Sequence, residues 1–120
     1  MIGKIGTVVL DAADPRGLAQ FYGQLLGLEI LDEDGDWIDI GPAGTKQPTL
    51  SFQHAPDHQP PQWPDPAYPQ QFHLDIDITR DIEEAEKEVL ALGATKLPGG
   101  GSTFRVYADP AGHPFCLCWG

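Results

Sequence analysis

His73, Asp75 and Asp77 alternate along the chain, and so do Cys116 and Cys118. Alternation is the period of a β-strand, whose successive side chains point to opposite faces, so each set shares one face of its strand. His73 carries the side chain that titrates nearest neutral pH. It suits a general base, a ligand anchor or a metal ligand, and a hydrogen-bonded structural histidine is the competing account. A zinc set of His73, Cys116 and Cys118 lacks the turn that brings paired cysteines onto one ion, so Cys116 reads as a small apolar group lining a site.

Arg105 is one of only seven Lys and Arg residues in a chain of net charge −11. Its planar guanidinium suits bidentate binding of a substrate carboxylate, while a salt bridge to Asp75 or Asp77 on a neighbouring strand is the alternative. Gln53 can orient a ligand through its amide or make a cross-strand hydrogen bond. Trp37 and Tyr107 can wall a flat or apolar ligand or pack in the core. The acidic run from Asp32 to Asp39 has Trp37 and Ala43 where a calcium loop needs its glycine and closing glutamate, so it reads as a solvated hairpin. Pro98-Gly-Gly-Gly-Ser102 lacks the lysine of a phosphate loop and reads as a turn or lid.

The elements that must position these groups emerge from an internal repeat. An ungapped offset of 66 residues lays 7–31 on 73–97, matching Asp11 with Asp77, Ala19 with Ala85, Leu26-Gly27 with Leu92-Gly93 and Leu31 with Leu97. In the first copy, a β-branched and apolar strand over 7–12 precedes Asp14-Pro15, an N-cap followed by proline at the first helical position. Leu18, Phe21, Tyr22 and Leu25 form one helical stripe, and Gly27 supplies the left-handed stop.

In the second copy Ile82, Ala85, Val89 and Leu92 form the stripe, Asp81 or Thr79 caps, Glu83 and Lys87 are spaced to pair, and Gly93 stops the helix. Strands are expected over 28–31, 37–40 and 49–54, then over 94–97, 103–108 and 114–119, with Asp34-Gly35 making a tight hairpin. The spacing predicts module one over 1–54, a connector over 55–70 holding six of the chain's twelve prolines, and module two over 71–120. The connector reads as stiff and extended, with Trp63 and Tyr68 free to pack onto the body or over a site.

Period-two patterning assigns Leu50, Phe52, Phe72, Leu74, Ile76, Ile78, Phe104, Val106, Phe115 and Leu117 to a helix-packed face. Thr7, Val9, Asp11, Trp37, Asp39, Ser51, Gln53, His73, Asp75, Asp77, Arg105, Tyr107, Cys116 and Cys118 fall on a polar trough. A concave trough with a few converging polar groups is the usual form of a small-molecule site; a solvated sheet face is the alternative.

Bulk properties narrow the partners. A chain of 120 residues supports one domain with one core, and the net charge of −11 repels phosphate backbones and anionic lipid, so nucleic acid and membrane are not expected partners. The glycine-interrupted N-terminus reads as a strand and not a signal peptide. Two cysteines placed two apart on a strand are poorly set to bridge, and a reduced, cytoplasmic setting is expected.

Asp14-Pro15 with Phe21-Tyr22, Leu26-Gly27-Leu28, the run from His73 to Ile78, and Asp109-Pro110-Ala111-Gly112 together resemble the glyoxalase/bleomycin-resistance/extradiol dioxygenase (vicinal oxygen chelate) superfamily. The resemblance implies an α+β fold of two tandem βαβββ modules forming a curved mixed sheet around a central cleft. It also implies a divalent metal held by one residue from the first and one from the fourth strand of each module, usually His, Gln or Glu.

The matching positions are Thr7, Ser51 (or Gln53 with the register shifted by two), His73 and Cys116, of which only His73 belongs to the usual set. The expectation is therefore no metal site and no cofactor. The function expected is binding of a small organic molecule through Trp37, Gln53, His73, Arg105, Tyr107 and Cys116. The alternatives are a lyase or isomerase acting on a carbonyl compound, with His73 as base and Arg105 as carboxylate anchor, and a dimeric interaction module. A homodimer is expected, because a two-fold partner covers exposed sheet edges.

Overall fold

Each copy of the repeat folds as a helix laid on a four-stranded mixed sheet. The computed structural model describes residues 1–120 and divides into two compact units, Met1–His58 and Gln59–Gly120. The first contains β1 (Val8–Ala12), α1 (Pro15–Leu26), β2 (Glu29–Glu33), β3 (Trp37–Gly41) and β4 (Leu50–His54). The second contains β5 (Leu74–Asp77), α2 (Ile82–Ala91), β6 (Thr95–Lys96), β7 (Phe104–Ala108) and β8 (Pro114–Cys118). The sheet orders are β1-β4-β3-β2 and β5-β8-β7-β6, with the first and last strand of each unit parallel and the other pairs antiparallel. The chain is an α+β protein made of two βαβββ modules.

α1 begins where the sequence places its cap. The Asp14 carboxylate accepts from the Gly17 amide at 3.1 Å, Pro15 opens the first turn, and Gly27 ends the helix in the left-handed conformation at φ 68°. The helix buries Leu18, Ala19, Phe21 and Tyr22 against the sheet. Tyr22 stacks on Phe52 with ring centroids 5.8 Å apart, and Phe21 meets Tyr22 edge-on at 5.0 Å. Side chains of this size each contribute about 1.5–3 kcal/mol on burial, so this helix is held by apolar packing. The Asp34-Gly35 turn closes as expected, with Gly35 at φ 95° and the Asp34 amide donating to the Trp37 carbonyl at 3.0 Å. A register shift between Ile30 and Asp32 lets β2 run on to Glu33, past the expected end.

α2 is held differently. Asp81, not Thr79, caps it by accepting from the Glu83 and Glu84 amides at 3.0 and 3.3 Å, and two acidic residues in the first turn suit the helix dipole. Only Ala85 and Val89 of this helix are buried. The remaining grip is ionic. Arg105 on β7 pairs with Glu83 at 2.7 Å and Glu86 at 3.1 Å, Tyr107 donates to Glu86 at 2.9 Å, and Lys96 on β6 reaches Glu86 at 3.1 Å. Glu83 is thus taken by Arg105 in place of the expected Lys87 pairing.

This layer reverses the expected faces of β7. Arg105 and Tyr107 point to the helix, and Phe104 and Val106 take the opposite face. The register gives the reason: Arg105 lies opposite Leu117 and Tyr107 opposite Phe115, and directly paired residues share a face. Leu117 and Phe115 are core residues, and Tyr107 stacks on Phe115 with centroids 5.6 Å apart. Hydrophobicity alone misassigned the strand, because the long arms of Arg105 and Tyr107 cover apolar surface while delivering their polar ends to Glu86.

The proline-rich segment is folded and not extended. The Gln62 amide donates to the Tyr68 carbonyl at 2.9 Å, the Asp65 amide to the Gln62 carbonyl at 2.6 Å, and the Tyr68 amide to the Asp65 carbonyl at 3.1 Å. Trp63 is fixed by its indole N–H, which donates to the Pro98 carbonyl at 3.0 Å. Between β7 and β8 the buried Asp109 carboxylate accepts from the Ala111 and His113 amides at 2.8 and 3.0 Å, the physical content of the Asp-Pro-Ala-Gly motif.

Candidate functional site

The face of the second sheet turned away from α2 carries the chemistry. The β5–β8 register sets Asp75 beside Cys116 and Asp77 beside Cys118, while β7–β8 sets Val106 opposite Cys116 and Phe104 opposite Cys118. With Trp63 and Trp119 these residues bound a cavity of about 770 Å³ in the second unit. That volume lies in the range of small-molecule sites. His73 stands just before β5, with Nε2 at 3.2 Å from an Asp75 carboxylate oxygen. If Nε2 carries the proton toward Asp75, Nδ1 is the ring's acceptor.

His73, Asp75 and Cys116 converge: one ligand atom from each lies within 4.8 Å of the others. Cys116 is buried, and burial followed by the charge of Asp75 pushes its thiol up to about 11; burial and the same aspartate also raise Cys118. Both thiols are therefore neutral at physiological pH. Behind the sheet, burial alone would raise the Glu86 carboxyl, but the hydrogen bond from Tyr107 and the nearby Lys96 and Arg105 bring it below its ordinary value. Burial, then Glu86, raises the Tyr107 phenol, and the hydrogen bond to Glu83 leads in holding Arg105 protonated.

The corresponding face of the first unit is closed on itself. Ser51 donates to an Asp39 carboxylate oxygen at 2.5 Å, the Trp37 indole donates to the same oxygen at 2.7 Å, and the Thr7 hydroxyl lies 2.8 Å from that of Ser51. Since Ser51 gives its proton to Asp39, Thr7 is the donor to Ser51. Gln53 sits opposite Trp37 and is exposed.

Of the six residues expected to bind a ligand, His73 and Cys116 come together in the cavity. Trp37 and Gln53 are paired in the first unit, and Arg105 and Tyr107 lie under α2. Phe104, Val106 and Trp119 were not expected at a site, whereas Trp63, read as free to pack onto the body or over a site, lies at the cavity wall. The His-x-Asp-x-Asp alternation pointed to Asp75 and Asp77, but no periodicity marks Trp63.

A family model described as a glyoxalase-like domain matches residues 7–118, nearly the whole chain. The chain belongs to the glyoxalase-like domain family. Solved structures of the glyoxalase/bleomycin-resistance/dioxygenase group share its fold. A glyoxalase-related enzyme from Fulvimarina pelagi matches at TM-score 0.69 and 16% identity, over 99% of this chain and 89% of the other. A family enzyme from Burkholderia phytofirmans PsJN matches at 0.67 and 18% identity, over 98% of each chain. The fosfomycin resistance protein FosX of Listeria monocytogenes matches at 0.71 and 17% identity, over 100% and 95%. Comparison with curated protein sequences gives no match.

The family's divalent metal can be tested against this glyoxalase-like chain's own donors. The parallel pairing of Val9 with Ser51 mirrors that of Asp75 with Cys116, so the fourth-strand positions are Ser51 and Cys116, with no shift to Gln53. Thr7 and Ser51 are neutral hydroxyls engaged with each other and with Asp39. Cys116 offers a thiol, and it joins His73 in a group of three possible ligand atoms only through Asp75, which lies outside the family's positions. A divalent ion wants about three anionic or imidazole donors, and across these four positions only His73 presents one. The residues do not fit the family's metal set.

Proposed function

We propose that this glyoxalase-like protein binds a small organic molecule in the cavity of its second unit, without a resident metal. The observation that carries the reading is the contrast between an open cavity of about 770 Å³ around His73, Asp75 and Cys116 and a first-unit face whose polar groups satisfy one another. A resistance protein and a glyoxalase-related enzyme among the structural relatives both accord with small-molecule recognition. Metal analysis of untagged protein purified without chelator is expected to find well under one ion per chain; one tightly held ion per chain overturns the reading. Thermal-shift screening against a metabolite and antibiotic panel is expected to raise the melting temperature with at least one organic compound, since a ligand that binds only the folded state stabilises it.

A second reading is favoured by one contact. The His73–Asp75 pair at 3.2 Å has the form of a general base steadied by a carboxylate, as an isomerase or lyase acting beside a carbonyl requires. Arg105 has no part in it, being engaged by Glu83 and Glu86. Turnover of any substrate found by screening is expected to fall at least about 100-fold in His73→Ala, and unchanged turnover refutes the role. We also propose a homodimer, for which sedimentation of a monomer at micromolar concentration is the contrary result.

A further inference from the structure

We infer that the ligand of the second-unit cavity is an organic cation, a protonated or quaternary amine carried on an apolar or aromatic body. This rests on the reading that the cavity binds a small molecule and adds the chemistry of that molecule.

The charge of the lining decides the sign. The residues around the cavity include Asp75 and Asp77 and no Lys or Arg at all. Both carboxylates lie on β5, alternate along it, and face the cavity from the side on which the two cysteines stand. Neither has a lysine or arginine partner among the ion pairs; Asp75 has His73 and Asp77 has none. The basic side chains of this unit's sheet are turned elsewhere: Arg105 is held by Glu83 and Glu86, and Lys96 by Glu86. An anionic ligand would meet two carboxylates and no counter-charge, a repulsion that selects against it.

The remaining wall suits the body of such a ligand. Trp63, Phe104 and Trp119 contribute aromatic surface, and Trp63 is fixed in place by its bond to the Pro98 carbonyl. An ammonium within about 6 Å of an aromatic face is attracted by the ring quadrupole, and alkyl substituents on nitrogen increase the apolar contact. Arg105 lies 6.0 Å from the Trp119 ring centroid, at the outer limit of such a contact, so Trp63 and Phe104 are the rings left for a ligand's ammonium.

The test is an amide-resolved NMR titration of the whole chain with three probes of one shape and different charge: 2-phenylethylammonium, 2-phenylethanol and phenylacetate. The ammonium is expected to shift amides at Asp75, Asp77, Val106, Cys116 and Cys118 and to bind at least about tenfold more tightly than the alcohol, while phenylacetate moves none of them. Raising sodium chloride from 50 to 500 mM is expected to weaken the ammonium and leave the alcohol unchanged. Asp75→Asn and Asp77→Asn, each isosteric and at an exposed side chain, are expected to cut the preference for the ammonium by about 3- to 10-fold without altering the alcohol. Binding of the alcohol or phenylacetate at these amides as tight as that of the ammonium overturns the cation assignment and leaves the small-molecule reading intact. If none of the three moves these amides, both fail.

Discussion

The two modules share an element order, a sheet order and a strand register, yet they differ on both faces of their sheets. On the helix side, the first is sealed by Leu18, Phe21, Tyr22 and Phe52, whereas the second buries only Ala85 and Val89 of its helix and relies on Glu86 to gather Arg105, Tyr107 and Lys96. On the other side, Thr7, Trp37, Asp39 and Ser51 satisfy each other, while His73, Asp75 and Cys116 stand around open volume. The first module closes its polar face on itself, and the second leaves its polar face around a cavity, the contrast on which the proposed binding rests. A duplicated fold lets one copy relinquish its polar face because the other keeps one.

The largest expected effect falls on the helix-side difference. Phe52→Ala removes the ring stacked on Tyr22 at a position with 0% exposure, and denaturant unfolding is expected to show a loss of about 3–5 kcal/mol. Val89→Ala in the second module is expected to lose about 2 kcal/mol by the same measurement. Equal losses would mean that the two helices are held alike.

Next comes the thiol at the cavity wall. With Cys116 pushed up to about 11, its thiolate fraction at pH 8 lies roughly 100-fold below that of an ordinary cysteine, and labelling by a thiol reagent is expected to slow by at least that factor. Asp75→Asn removes the second cause of the shift and is expected to speed labelling. A folded-state pKa above the unfolded one stabilises at low pH, so this contribution is complete below about 8.5 and lost as pH rises toward 11. Labelling at the rate of a free thiol contradicts the buried, carboxylate-flanked placement.

A smaller effect is expected at Glu86. Its carboxyl is held below the ordinary value, so its stabilisation is present above the ordinary carboxylate range and lost as pH falls through the folded value. Glu86→Gln is expected to cost about 1–3 kcal/mol at pH 7, because it leaves Arg105 and Tyr107 poorly matched, and to flatten the acid side of the stability profile. Smallest of all is the exposed Arg16–Glu33 pair of the first module: Glu33→Gln is expected to change stability by less than about 1 kcal/mol.

Most of the fold was legible because its signals are local. Asp14-Pro15, Gly27, Asp34-Gly35 and Asp81 each fix a cap or turn through their own side chain or backbone freedom, and the ungapped repeat set the element order. The site was legible only in part. Cys116 sits on β8 and His73 immediately before β5, where the alternation with Asp75 and Asp77 gives the face directly. Arg105 and Tyr107 deceived because polarity along β7 put them on the polar trough, while the register with β8 and the reach of their side chains turned them to Glu86. For Trp63 the sequence left body and site both open, because a proline-rich segment has no period, and its indole is fixed by its bond to the Pro98 carbonyl. No local pattern announces that Ser51 and Trp37 share one carboxylate oxygen of Asp39.

The claim that binding belongs to the second module without a metal is tested most directly by chelator-treated, isotope-labelled protein titrated with a thermal-shift hit and followed amide by amide. The account predicts saturable shifts at His73, Asp75, Val106, Cys116 and Cys118, unchanged by added divalent ions. Shifts confined to Thr7, Trp37, Asp39 and Ser51, or binding that appears only when a divalent ion is restored, would contradict it.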